Sequence, residues 1–245
     1  AKVDPNLADL PLDGLAYVGE RDMNFDAFLA YDGDFKGRFR WNMSRPAPTE
    51  DVRYITAHES THFAQAVVQD HLRRQGRLGS EAAFTTMSSG MAVQTEGLAQ
   101  VAPQLVSGGT LEGVVNRFGI DYAAMVAQDG LQDLTREYVG QQVALNGRDV
   151  RDLAPVIQTS FLQNPHIVEK YVRAKTKPDG SRAKKSYWAE NDVGQMYGPS
   201  YRHGSRGFQK MIAEHGVLPV ARAAFFTDGF VDLPAMQAKL ARKSA

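Results

Sequence analysis

Three residue types at one spacing carry the first chemical signal. His58, Glu59 and His62 lie in Ile55-Thr56-Ala57-His58-Glu59-Ser60-Thr61-His62-Phe63-Ala64-Gln65, an H-E-x-x-H pattern. On a helix, residues four apart project from one face a turn apart, so the two imidazoles converge. Two neutral imidazoles so placed can grip one tetrahedral divalent cation. Glu59 follows the first His directly, where it reaches the open position of that cation without ligating it. A carboxylate there is placed to take a proton from water. The chain has no cysteine and six histidines, so any metal must be held by His, Asp or Glu. One ion on nitrogen and oxygen donors favours Zn(2+), although other divalent ions fit.

The third ligand sets the subclass. An extension of the type H-E-x-x-H-x-x-G-x-x-H fails, because Gln65 stands at the glycine position and Val68 at the final one. His71 lies nine residues past His62, about half a turn out of phase, and reads as surface. A Glu from a second helix remains. Glu96, in Met91-Ala92-Val93-Gln94-Thr95-Glu96-Gly97-Leu98-Ala99-Gln100, sits in a largely uncharged run. A buried acid there needs a partner, and Gly97 beside it permits close helix approach. Glu81 and Glu112 compete, but each suits the first turn of a helix, after Ser80 and Thr110.

Hydrolysis at such a site also needs donors for an oxyanion. The segment Gly194-Gln195-Met196-Tyr197-Gly198-Pro199-Ser200-Tyr201-Arg202-His203-Gly204 gathers two Tyr, one Arg and one His between glycines. Tyr201 and His203 are candidate oxyanion donors. Arg202 and Arg206 are candidates to pair with a substrate carboxylate, with Tyr197 beside them. The alternative is a polar, glycine-rich loop before a helix.

The elements that must position these groups are mainly helical. Residues 1–48 are rich in Pro, Gly and Asp, with short strands expected at 15–18 and 37–43. Phe39 and Trp41 share a face of the second strand. Thr49 is a plausible N-cap, followed by Glu50 and Asp51, and a helix runs from Val52 to about Gln75, ending at Gly76. A second helix is expected from Ser80 to about Val106. Several more fill 111–174, punctuated by Gly119, Gly130, Asn146-Gly147 and Asn164-Pro165. Lys175–Lys185 is basic and turn-rich, an exposed loop, with an anion-binding patch as the alternative. Helices return at about 205–215, 218–226 and 234–242. The fold class is mainly α (α+β), with a small N-terminal β element. Residues 1–48 form a strand and loop segment packed on a helical domain of 49–245, in one compact unit.

The chain has 245 residues, with 28 basic and 28 acidic side chains. A net charge of zero argues against nucleic acid as the main partner, and no apolar run reaches the length of a bilayer span. A soluble protein of either cytoplasmic or exported location is expected. Ala1 at the start is compatible with a processed terminus or with a piece of a longer protein.

The combination resembles the gluzincin metallopeptidases. It is similar, more narrowly, to bacterial metallohydrolases distantly related to carboxypeptidase Taq. The residues that carry the resemblance are Thr56-Ala57-His58-Glu59, Glu96-Gly97-Leu98-Ala99 and Tyr201-Arg202-His203-Gly204, in that order. The resemblance implies a zincin-like helical catalytic domain with His58, His62 and Glu96 as metal ligands and Glu59 as general base. Tyr201 would assist the oxyanion and His203 would help. Phe39–Asn42 would correspond to an edge strand along the substrate, making Trp41 and Asn42 substrate contacts. The activity implied is hydrolysis of a peptide or other small amide. A metal-binding or peptide-binding module without turnover is the alternative. The chain departs from these relatives in having Ser60-Thr61-His62 where one of them has a Pro-Gly-His turn. It also has Leu98 in place of an aromatic, and it is much shorter.

Overall fold

The computed structural model describes residues 10–21, 27–44, 49–78, 90–119, 121–158, 192–225 and 233–243. Its first elements are three strands, β1 (Leu15–Glu20), β2 (Ala27–Gly33) and β3 (Lys36–Asn42). The sheet order is β1-β3-β2, with β3 parallel to β1 and antiparallel to β2. The sequence suggested β1 and β3 and passed over β2. It also assigned Phe39–Asn42 to an edge, and this is corrected: β3 is the central strand, paired on both sides. An extended substrate therefore cannot add to it through backbone hydrogen bonds.

Alternation places Gly37, Phe39 and Trp41 on one face of β3, as expected for the two aromatics. Tyr17, Phe39 and Leu29 align across the three strands. The Tyr17 and Phe39 rings meet edge-on at 5.5 Å, and Phe39 and Trp41 lie 5.9 Å apart. Helix α1 (Thr49–Arg74) packs on this face. A Cβ on Gly37 would press on the Phe63 ring, so glycine here lets the helix approach the sheet. Phe63, Val67, Val68 and Leu72 are buried together with Leu10 and Leu78. Burying each such side chain stabilises the fold by about 1.5–3 kcal/mol.

Next come α2 (Gly90–Gln100), α3 (Ala102–Val106) and α4 (Leu111–Phe118). The expected helix to Val106 is interrupted at Val101, where Pro103 starts a new helix within its first turn. The Thr110 side chain caps α4 by accepting from the Gly113 amide at 3.0 Å, and Gly119 ends it in a left-handed conformation. Helices α5 (Tyr122–Asn146) and α6 (Val150–Val156) follow, the second capped by Asp149. Gly130 does not break α5, contrary to expectation, and nothing packs against the space its side chain would occupy. Ser80, Glu81, Asn164-Pro165 and the basic loop 175–185 lie outside the described residues.

The last helices are α7 (Asp192–His215), α8 (Val217–Phe225) and α9 (Leu233–Lys243). The segment 194–204 is thus helical throughout, not a loop before the helix expected at Ser205. Leu98, Val101, Phe208, Met211, Ile212, Val220, Met236 and Leu240 form a second apolar core.

The chain is mostly helical with a small N-terminal sheet, as expected, and its internal contacts define compact units of their own. There are two: Ala1–Tyr122 with Gly204–Ala245, and Ala123–His203. The sheet and α1 share the first unit because the Phe63 face of α1 is the sheet's own core. No described helix is long and apolar enough to cross a membrane.

Candidate metal centre

Within the first unit, the middle of α1 meets α2. His58 and His62 stand one turn apart on α1, their rings 4.7 Å between centroids and nearly perpendicular. Their Nε2 atoms approach to 3.1 Å. Glu96 of α2 spans both, with one carboxylate oxygen 3.3 Å from His58 Nε2 and the other 3.4 Å from His62 Nε2. His58 and Glu96 are buried and His62 nearly so.

These distances test whether a metal fits. Ligand bonds of about 2.0–2.1 Å at tetrahedral angles put neighbouring donor atoms about 3.3 Å apart. The two Nε2 atoms are 3.1 Å apart, and each lies 3.3–3.4 Å from a different oxygen of Glu96, so each nitrogen has a neighbouring donor near that spacing. Among the described residues, these three form the group of His and acidic side chains able to hold an ion. The donor set is two imidazole nitrogens and a carboxylate, which suits zinc.

Two glycines let α2 pack closely on α7 beside Glu96. A Cβ on Gly97 would overlap the backbone of Gly204, and one on Gly204 would overlap the Val93 carbonyl. Helices α2 and α7 therefore cross in backbone contact at the residue next to Glu96. The close approach anticipated from Gly97 is found, and its partner is Gly204.

The electrostatics of the centre are those of a cage for positive charge. Burial disfavours the His62 imidazolium. The facing Glu96 carboxylate outweighs that, aided by Glu59 and by the acceptor Gln65, and lifts His62 to about 9. Burial likewise pushes the Glu96 acid up, but His62 and His58 hold it well below the usual carboxylate range. Without metal, the site thus stores an imidazolium–carboxylate pair. The influence of Glu59 on His62 also places its charge near the cluster, as the H-E-x-x-H spacing requires.

Gln65 was passed over in the sequence reading. It is buried, its Oε1 lies 2.9 Å from His62 Nδ1, and its amide nitrogen donates to the Thr95 carbonyl at 3.2 Å. The signal was present: an amide between the apolar positions Phe63 and Val67 needs partners of its own. Tyr54, one turn before His58, donates to Gln100, and its ring lies 6.4 Å from that of His58.

The other candidates have surroundings of their own. Glu112 is exposed in the first turn of α4, and His71 meets Gln75 at 2.9 Å. Val68 is in the core. Asn42 is buried and its side chain accepts from the Ser44 amide at 3.0 Å, a turn-forming role. Trp41 is half-buried against Phe39. In the second unit, Arg202 of α7 donates to Glu137 of α5 at 2.7 Å, and the exposed His203 lies 3.7 Å from the same carboxylate. Tyr201 is half-buried in that turn, and Arg206 is exposed. Tyr197 is on α7, with its side chain outside the described set.

No protein-family model, curated protein or solved structure matches this chain.

Proposed function

We propose that the protein is a zinc-dependent hydrolase cleaving an amide, most simply a peptide bond. The observation that carries the reading is the convergence of His58, His62 and Glu96, whose ligand atoms lie within 4.8 Å of one another, with Glu59 next to the first of them. A zinc ion bound there supplies a Lewis acid for the scissile carbonyl and makes a water acidic near neutral pH. Glu59 takes the proton of the attacking water and returns it to the leaving amine. The buried walls of the triad exclude bulk water and hold the ligands in place. The resemblance nominates Tyr201, with His203, to donate to the developing oxyanion. Tyr201→Phe tests that role by lowering kcat while leaving metal content unchanged.

One observation favours the second reading, a metal-binding module without turnover. Arg202, the candidate partner for a substrate carboxylate, is tied to Glu137. The two readings part on Glu59→Gln. The hydrolase reading expects full zinc occupancy and a loss of at least about 100-fold in turnover of a broad peptide library. Undiminished hydrolysis by the variant would refute Glu59 as the base, whereas a wild type with stoichiometric zinc and no hydrolysis would leave the module.

A further inference from the structure

We infer that Gln65 is a positioning residue that fixes the tautomer of His62 and ties together the two helices bearing the metal ligands. The inference rests on the metal reading above and goes one layer outward from it.

The argument starts at Thr95. Its backbone carbonyl can only accept, so the Gln65 group 3.2 Å away must be the amide NH2. The Gln65 carbonyl oxygen then faces His62 Nδ1 at 2.9 Å. An oxygen there requires Nδ1 to carry hydrogen. In the neutral ring this leaves the lone pair on Nε2, the atom that faces His58 and Glu96. One backbone carbonyl thereby decides, through one amide, which imidazole nitrogen is offered to a cation. Such outer partners orient a ligating ring and raise its basicity.

The same amide has a second consequence. Gln65 lies three residues after His62 on α1, and Thr95 immediately precedes Glu96 on α2. The path from His62 through Gln65 to Thr95 therefore runs beside the path through the ligand atoms themselves. It sets the helix separation at which Glu96 reaches both imidazoles. A glutamine suits the position because it accepts at one end and donates at the other. Glutamate only accepts, and methionine of similar length does neither strongly.

The test compares wild type, Gln65→Met, Gln65→Glu and His62→Ala, all stripped of metal. Zinc affinity is read by competition with a chromogenic chelator, and the visible spectrum of added Co(2+) reads ligand geometry. Gln65→Met is expected to bind zinc about 10- to 100-fold more weakly, as for loss of an outer partner of a ligating His, with an altered cobalt spectrum. Gln65→Glu restores the acceptor for Nδ1 but not the donor to Thr95, so an affinity between those of Gln65→Met and wild type is expected. Affinity of Gln65→Met within about threefold of wild type overturns the proposal while leaving the metal reading intact. Gln65→Glu at or above wild type overturns the bridge to Thr95, and Gln65→Glu no better than Gln65→Met overturns the tautomer role. A wild type that binds zinc no better than His62→Ala overturns the metal reading, and this proposal with it.

Discussion

Two buried carboxylates meet helix α1, Asp70 near its C-terminal end and Glu96 across from its middle, and their surroundings differ in kind. Asp70 accepts from Arg73 at 2.7 Å, from Arg74 at 3.1 Å and from the Tyr31 hydroxyl at 3.0 Å. Those donors carry their hydrogens at every neutral pH, and they outweigh burial to hold the Asp70 acid below its ordinary range. Glu96 instead faces two imidazoles whose Nε2 atoms are 3.1 Å apart. At neutral pH His62, raised to about 9, supplies a proton to this cluster; without that proton its Nε2 faces His58 and the Glu96 carboxylate as an acceptor. A self-sufficient network fastens the helix to the sheet, whereas the second cluster is held by an exchangeable proton in the place that a cation would take.

The sharpest way to break this comparison is to delete each acid. Glu96→Ala should lower zinc affinity by more than about 100-fold, beyond the effect of an outer partner. It should also abolish the drop in melting temperature that a chelator produces in wild type. Asp70→Asn should leave zinc affinity within about threefold. It should cost roughly 1–3 kcal/mol of folding stability, at the lower end because both guanidinium groups are about half exposed. Chelator competition and urea melts on the two variants read both quantities. An Asp70→Asn protein that loses zinc would mean the middle of α1 and its C-terminal end are not separate in function.

Proton linkage provides a second contrast, of intermediate size. His62 is raised to about 9 against an unperturbed value near 6.5. In the metal-free protein its pairing with Glu96 therefore adds stability that is complete below about pH 6.5 and is lost as pH rises through 9. Asp70 is lowered, so its contribution is present above about pH 4 and is lost as pH falls through its folded value. A cation must displace the His62 proton. Zinc binding at pH 7 should release about one proton, and affinity should climb about tenfold per pH unit until about 9. Calorimetry in buffers of different ionisation enthalpy measures that proton. Uptake without release would show that His62 is not the displaced acid.

Much of this was legible because its causes are local. H-E-x-x-H places two imidazoles together by helix periodicity alone, and Glu96 was visible as an acid in an uncharged helix beside a glycine. What was not legible depends on partners distant in sequence. The two-residue loop Asp34-Phe35 has positive φ at both positions but no Asn-Gly signature, so β2 went unseen. Its turn is held instead by Arg74, which lies over the Phe35 ring at 4.8 Å and pairs with Asp34. The central place of β3 follows from strand order, which no local pattern records. In α7, Gly204 suggests a break by propensity, while Gly207 lies inside the helix expected from Ser205. They serve as room for Val93, Gly97 and Leu233 in a helix sustained by tertiary packing.

The smallest effect tests whether the structural network is as self-contained as its geometry implies. The Tyr31 hydroxyl donates to Asp70 and accepts from the Phe35 amide, both at 3.0 Å. Tyr31→Phe keeps the ring against Phe63, whose centroid is 6.2 Å away, and removes both bonds. Asp70 retains its two arginines, so the loss should be about 1 kcal/mol. A urea midpoint shift at unchanged slope reads it. Zinc affinity should not move, because Asp70, Tyr31 and Phe35 share no hydrogen bond with His58, His62 or Gln65 among the bonds seen around them. If instead zinc affinity falls with this single oxygen, the β2–β3 turn is part of the scaffold that holds the imidazoles, and the division between a closed network and an open cage must be redrawn.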